Sequence, residues 1–269
     1  MGLTTPIIRT TVGKLPPEVR LTGSHRFDKV QLGPADRLVV DRADLVRVDL
    51  SRLRGDSFQV LGGSRFVECD FSRTSFRHSV VLGAREQSLY ENCSFDGATL
   101  HGCGSNVRMV GCRFRDARLT DWFGTALELI DCQFDGCRIE RSKFWGRPHG
   151  IPPNLPERSS NEFVGNDFSR ADFRDVSFAG GINLLQQKMP LGANYRLVRD
   201  LAGAVDRARS AVALWADEGT RIPALRRLSV LSEVAAQGQD QALIDTRTWA
   251  MPQTAVEELL KLLGATPTA

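Results

Sequence analysis

Histidine and cysteine are the side chains here best suited to metal or acid–base chemistry, and their spacing argues against both. A zinc site needs ligands a few residues apart, usually as two close pairs. The segment His101-Gly-Cys103 holds one close pair without a second. The other histidines are isolated in the chain, at His25, His78 and His149. We therefore expect neither a metal nor a cofactor.

Four of the six cysteines recur at one position of a repeated segment, two residues before a central phenylalanine or its equivalent. This arrangement matches neither a disulfide framework nor two CxxC pairs. A free thiol packs as a small apolar residue, and we favour this interpretation over a metal or redox ladder. The four residues are Cys69, Cys93, Cys112 and Cys132.

No constellation of residues specifies a reaction. The sequence has no phosphate-binding glycine loop and no GxSxG elbow. Its carboxylates alternate with arginines at positions expected to face solvent, as in the run Arg113-Phe-Arg-Asp116. A catalytic site needs a nucleophile or base, a group that orients it and a concave surface, and none can be assembled. We predict a noncatalytic protein.

The charge of the chain is nearly balanced. Its 269 residues include 35 basic and 32 acidic side chains, for a net charge of +3. Because the two signs are interspersed, no basic stripe forms, and direct nucleic-acid binding is not expected. No segment approaches the roughly 18 apolar residues of a membrane span, and the N-terminus lacks a secretory signal. We expect no membrane association and a cytoplasmic location.

An apolar residue recurs at every fifth position through the middle of the chain. An interval of five drifts around a helix of 3.6 residues per turn, which excludes a helix. In an extended chain, the central residue and the small residue two before it share a face. Four five-residue sides close one coil, so we predict a square β-solenoid with coils about 4.8 Å apart. The interval is unbroken through Met109, Phe114, Leu119, Gly124, Leu129, Phe134, Ile139 and Phe144.

These units resemble those of pentapeptide-repeat proteins, in which a small, a polar, a large apolar and two polar residues recur. Cys93-Ser-Phe-Asp-Gly97 and Ala171-Asp-Phe-Arg-Asp175 show the pattern. The resemblance extends over about 150 residues in repeated register. It implies a right-handed quadrilateral β-helix. The predicted fold class is therefore mainly β, a β-solenoid with a C-terminal α-helical tail.

Two interruptions of the repeat are candidate contact sites for a partner. The segment 145–160 contains four prolines and two glycines, which cannot pair in a ladder, so it should protrude. Trp145, Arg147 and His149 are its candidate partner contacts, and the alternative is a tethered surface loop. Trp122 is a further candidate, for which the alternative is a local kink filled by its indole.

The last part of the chain has helical periodicity. We predict helices from Asn194, from near Pro223 and from Thr254. Their apolar faces require a partner surface, which capping of the solenoid end or a homodimer through the C-terminal helices would provide. The expected domains are an N-terminal extension or cap at 1–25, the repeat β-helix at 26–184, and a helical region at 185–269.

Two binding functions remain. The resemblance implies the first, because several pentapeptide-repeat proteins bind DNA gyrase or topoisomerase IV as DNA mimics and confer antibiotic resistance by protecting the enzyme from its poisons. DNA carries one negative charge per roughly 1.7 Å, whereas residues 1–184 hold 25 basic and 23 acidic side chains. The second function, a noncatalytic scaffold or adaptor that binds a protein partner, suits this balance, and we favour it.

Overall fold

Five-residue units form the four walls of stacked coils. In one coil, Phe114 lies on the first wall, Leu119 on the second, Gly124 on the third and Leu129 on the fourth, and Phe134 then stacks on Phe114. The computed structural model describes residues 7–10, 16–78, 80–83, 86–102, 106–148 and 158–268. Within them, the predicted mainly β solenoid with C-terminal helices is confirmed.

Parallel ladders join the walls of successive coils. One sheet contains Glu18–Arg26, Arg37–Val46, Ser57–Val60, Arg65–Val67, Val80–Val81, Ser88–Glu91, Val107–Val110, Leu127–Ile130 and Phe163–Val164, with Ile8–Thr10 antiparallel at its edge. A second contains Arg54–Gly55, Ser75–Phe76, Thr99–His101, Arg118–Thr120, Phe123–Gly124, Arg138–Trp145 and Asp172–Ala179. The first wall is joined by single bridges along Lys29, Asp49, Asp70, Ser94, Arg113, Gln133, Asp167 and Lys188.

A column of phenylalanine rings runs along the inside of the first wall. Consecutive ring centroids lie 4.7, 4.8, 4.8 and 4.4 Å apart, and the planes of consecutive rings are within 18° of parallel. This interval equals the spacing of paired strands, so ring stacking and backbone pairing are satisfied together. The phenylalanine column consists of Phe71, Phe95, Phe114, Phe134 and Phe168.

The four repeated cysteines fill the small inward position beside this column. All are buried, and each thiol donates to a carbonyl of the preceding coil, as Cys112 does to Tyr90 at 3.4 Å. Burial raises the pKa of Cys112 and Cys132 well above the ordinary thiol value, so both remain protonated. They act as small packing residues.

Polar inward side chains replace apolar ones at both ends of the solenoid. In the first coil, the buried His25 ring contacts Asp28 Oδ2 at 3.0 Å and the Thr22 carbonyl at 3.1 Å. In the last coils, the buried Asn166 amide donates to Leu129 O at 2.8 Å and to Gln187 Oε1 at 3.0 Å. These hydrogen bonds satisfy polar groups at the places where the stack of apolar residues ends.

The ladder begins earlier in the chain than residue 26. Glu18–Arg26 pairs in parallel with Arg37–Val46, so the first coil includes part of the segment 1–25. The division into 1–25, 26–184 and 185–269 stays a proposal.

The C-terminal region combines three helices with a three-stranded antiparallel sheet. The helices are α1 (Leu201–Val212), α2 (Glu218–Ala236) and α3 (Gln253–Leu262). The strand Tyr195–Val198 lies between Ala242–Asp245 and Thr266–Pro267, and short 3-10 turns span Leu184–Gln186 and Thr246–Thr248. The apolar faces of α1 and α3 pack together in one core cluster.

The starts of the helices differ from those predicted. The helix expected from Asn194 begins at Leu201, because Tyr195 and Leu197 alternate inward from a strand and pack on the solenoid core. α2 begins before Pro223, because Asp217 accepts from the backbone of Gly219 and Thr220. α3 begins at Gln253, next to the predicted Thr254.

Two glycines at corners of the coils have similar backbone angles but should differ in how well they tolerate a side chain. Gly165 has φ +70° and a methyl group there would overlap the Asp131 carboxylate, whereas Gly97 has φ +65° and its nearest neighbour would be Arg73 Cγ at 3.4 Å. We expect Gly165→Ala to lower the free energy of unfolding by about 2–3 kcal/mol and Gly97→Ala by about 1 kcal/mol. Urea unfolding measures both. Equal losses would show that the overlap with Asp131 has no effect.

Candidate interaction surface

The segment 145–160 is held at its base by Asn161. The buried Asn161 amide donates to Trp145 O at 2.6 Å, and its backbone N–H donates to Gly146 O at 2.8 Å. Arg158 donates to Asn161 Oδ1 at 3.0 Å and to the Ala126 carbonyl at 2.5 Å. The base is therefore fixed to the solenoid. Asn161 was missed from the sequence, although it occupies the small inward position two residues before Phe163.

A cation lies on the face of the half-buried Trp145. Lys143 Nζ is 4.2 Å from the ring centroid of Trp145 and donates to Gln237 Oε1, at the end of α2, at 3.1 Å. Burial lowers the pKa of Lys143, and the charge of Glu233 opposes this shift. We name Lys143, Trp145 and Arg147 the junction surface, because they lie where the solenoid meets the C-terminal region.

The predicted contact residues do not all lie on this surface. Arg147 is exposed, and its guanidinium lies beside Gly238. Trp122 is fully buried and packs edge-on against Phe114, with ring centroids 5.8 Å apart. Because its indole is inside the solenoid, Trp122 cannot contact a partner at the surface. His149 lies outside the described residues, as does most of the segment that contains it.

Arg247 ties the C-terminal region to the last coil. Its guanidinium donates to Asp172 Oδ1 at 2.9 Å, to Phe173 O at 2.7 Å and to the Tyr195 hydroxyl at 2.8 Å. Asp245 on the adjacent strand accepts from Arg247 Nε at 2.9 Å. Burial pushes the pKa of Asp172 upward, but the hydrogen bonds and charges of Arg247 and Arg174 outweigh it and hold that pKa below the usual value.

Glutamine side chains make a second attachment between the C-terminal region and the last coil, through hydrogen bonds to the backbone of that coil. The buried Gln239 accepts from the N–H groups of Gly181 and Ile182 at 3.1 and 3.0 Å, and it donates to Ile182 O at 2.7 Å. Gln241 accepts from Leu184 N at 2.7 Å. These bonds satisfy backbone groups of the last coil that have no further coil to pair with.

The outer walls carry charges of both signs in contact. Arginines pair with carboxylates across neighbouring coils, as Arg113 does with Asp96 at 2.8 Å and Arg141 with Asp121 at 2.8 Å. Within the described solenoid, some arginines have no carboxylate within 4 Å, among them Arg52, Arg54, Arg73 and Arg77. The described walls therefore carry arginines among their carboxylates.

No group of three or more His, Cys, Asp or Glu side chains among the described residues is placed to hold a metal ion. No helix in the described ranges is long and apolar enough to cross a membrane.

Coils closed by four five-residue walls, stacked in register, define a pentapeptide-repeat type of β-solenoid. The resemblance found in the sequence is confirmed at the level of the fold. No protein-family model matches the chain, and no curated protein matches it in sequence.

Solved structures similar to the chain include two proteins with solenoid-sized alignments. Full-length QnrB1, described as a plasmid-mediated fluoroquinolone resistance protein, has 13% identity and a TM-score of 0.30 and aligns over 60% of this chain and 93% of its own. HetL, a pentapeptide repeat protein involved in heterocyst differentiation regulation from the cyanobacterium Nostoc, has 14% identity and a TM-score of 0.19, over 65% and 89%. At these values, the coil geometry and not the alignments carries the assignment of the fold.

The Arg247 attachment predicts a pH-dependent contribution to stability. The pKa of Asp172 is lower in the folded protein than in the unfolded chain, where it is about 3.9, so the ionised carboxylate stabilises the fold at pH values above about 3.9. This contribution is lost as the pH falls through the lower, folded-state pKa. We expect Arg247→Met to lower the free energy of unfolding by about 1–2 kcal/mol at pH 7, allowing for solvent screening. The difference from the wild type should shrink at pH 3.

Arg174→Met is the matched control, because Arg174 contacts Asp172 at 3.1 Å but is more exposed and makes no bond to Tyr195. Urea unfolding of the wild type and of both variants, at pH 7 and at pH 3, gives the free energies of unfolding. A difference between Arg247→Met and wild type that is unchanged at pH 3 would contradict the assigned role of Asp172.

Proposed function

We propose that the protein is a noncatalytic scaffold or adaptor that binds a protein partner through the junction surface. The observation that carries the proposal is Trp145, half-buried under Lys143 and beside the fixed base of the segment 145–160. A large aromatic side chain held in place loses little conformational entropy on binding, and tryptophan and arginine are enriched among residues that dominate interface energies. Arg147 extends the contact area, and His149, two residues further along the chain, is a further candidate contact.

Charge pairing on the walls supports a protein partner over imitation of DNA. A DNA mimic needs closely spaced negative charges without nearby cations. The described walls instead pair carboxylates with arginines, and several exposed arginines remain without a carboxylate. Long-range steering by such walls is weak, so affinity must come from short-range contacts.

Self-association is part of the proposal, through a different surface from the one the sequence suggested. The apolar faces of α1 and α3 are buried within the chain. A homodimer through the C-terminal helices would use the exposed side of α2, where Ile222 and Val230 are 40% and 52% exposed. Light scattering of the wild type and of Val230→Glu distinguishes a dimer formed there from a monomer.

Removal of the Trp145 side chain should weaken capture of the partner. We expect Trp145→Ala to lower the retained amount of a specific protein by about tenfold or more, which corresponds to 1.4 kcal/mol. The measurement is quantitative affinity capture with the full chain as bait. Phe27→Ala is the matched control, because Phe27 is also an aromatic ring under a cation, Arg47, but lies at the opposite end of the solenoid.

Equal capture by Trp145→Ala and wild type would remove the junction surface from the proposal. Loss of capture by Phe27→Ala alone would move the contact to the N-terminal end. Circular dichroism of each variant shows that the solenoid is intact.

Gyrase supercoiling provides the direct test against imitation of DNA. We expect purified protein to leave supercoiling unchanged at low and high salt, with or without a quinolone, because many of its wall carboxylates lie against arginines instead of forming a row of unpaired negative charges. Inhibition or drug protection at low micromolar protein, weakening as salt rises, would contradict the expectation and establish topoisomerase binding.

A further inference from the structure

A cleft of about 130 Å³ lies where α2 crosses the last coil and the C-terminal sheet. We call it the end cleft. It is separate from the junction surface, although Val230 of its lining also lies on the exposed side of α2 considered above for a homodimer. Three elements form its walls, and its apolar lining includes Val176, Phe178, Val230, Val234, Leu243 and Trp249.

Two unpaired strand edges contribute backbone polar groups to the end cleft. In the described part of the chain, Asp172–Ala179 pairs with Arg138–Trp145 on one side and with no strand on the other, and Ala242–Asp245 is the edge of its sheet. The Ala179 carbonyl accepts from Gly146 N, toward the solenoid. Because successive residues of a strand alternate, the N–H and C=O of Phe178 point the opposite way, toward the cleft.

One cation at the end cleft has no carboxylate partner. The Arg227 guanidinium donates to the Thr248 carbonyl, and no carboxylate of the described residues lies within 4 Å of it. The two acidic residues of the lining are directed to other arginines: Asp245 accepts from Arg247, and the charge of Asp175 acts on Arg141. Arg227 is therefore the charged group available to a ligand.

We propose that the end cleft binds a compact carboxylate ligand that consists of one aromatic ring or branched aliphatic group. A cleft of this volume has room for a single ring, since enclosed cavities of about 150 Å³ hold one in other proteins. A ligand that binds the folded protein and not the unfolded chain raises the free energy of unfolding. Apolar walls with a few convergent polar groups are typical of small-molecule sites, and guanidinium is the preferred partner of a carboxylate.

Phenylacetate and its neutral analogue phenylacetamide are the probes for this site. With the full chain, phenylacetate should raise the melting temperature and change the fluorescence of Trp249, which lines the cleft. Phenylacetamide should bind about tenfold more weakly, because it lacks the charge that Arg227 recognises. Calorimetric titration gives both dissociation constants.

Three variants test the assignment. Arg227→Gln should remove the preference for phenylacetate, and Arg226→Gln, its exposed neighbour outside the cleft, should retain it. Val234→Phe fills the cleft and should abolish binding of both probes; if it fails to fold, the Arg227 and Arg226 pair still decides. Absence of binding by either probe at millimolar concentration, or equal effects of the two arginine variants, would overturn the proposal.

Discussion

The register of one coil on the next is the constraint on which the rest of the molecule depends. Rings in the phenylalanine column are 4.4–4.8 Å apart, the same interval as the backbone ladder. A coil of a different length would break both the ring stacking and the backbone pairing. Additional residues must therefore leave the stack at a corner. The segment 145–160 lies between Phe134 and Phe168 in the chain, and these two rings are still stacked at 4.4 Å.

The same register makes the two ends of the solenoid costly, because the last coil has backbone groups with no further coil to pair with. The C-terminal region meets that requirement with side chains rather than with another strand. Gln239 and Gln241 bind backbone N–H groups, and Arg247 and the Tyr195 hydroxyl bind the backbone of Phe173. This mode of capping leaves strand edges unpaired beside α2, which is how a cleft arises there.

The sequence predicted the solenoid well because an apolar residue recurs at every fifth position within a coil, and each of the four repeated cysteines stands two residues before a ring of the phenylalanine column. It predicted the C-terminal region less well. The strand Tyr195–Val198 is only four residues long. The 3.6-residue apolar period of the helix that follows hides the two-residue alternation of the strand. The Arg247 and Asp172 contact joins residues far apart in the chain, so no local pattern indicates it. Trp122 shows the opposite limit: the sequence allowed either a surface contact or an indole that fills a local kink, and the structure shows that the indole is buried in the interior.

Paired charges and a fixed surface aromatic together determine what kind of recognition this chain supports. Where carboxylates are paired with basic side chains of the same or the next coil, as at Asp96 and Asp121, the field beyond a Debye length of about 8 Å is small at physiological salt. Encounter with a partner is then little accelerated by charge, and selectivity depends on close contacts that only the irregular parts of the solenoid provide. Asn161 holds Trp145 at such an irregularity, whereas the regular walls present the same paired side chains to every approaching surface. The proposed recognition of a partner therefore rests on the base of the inserted segment rather than on the repeat.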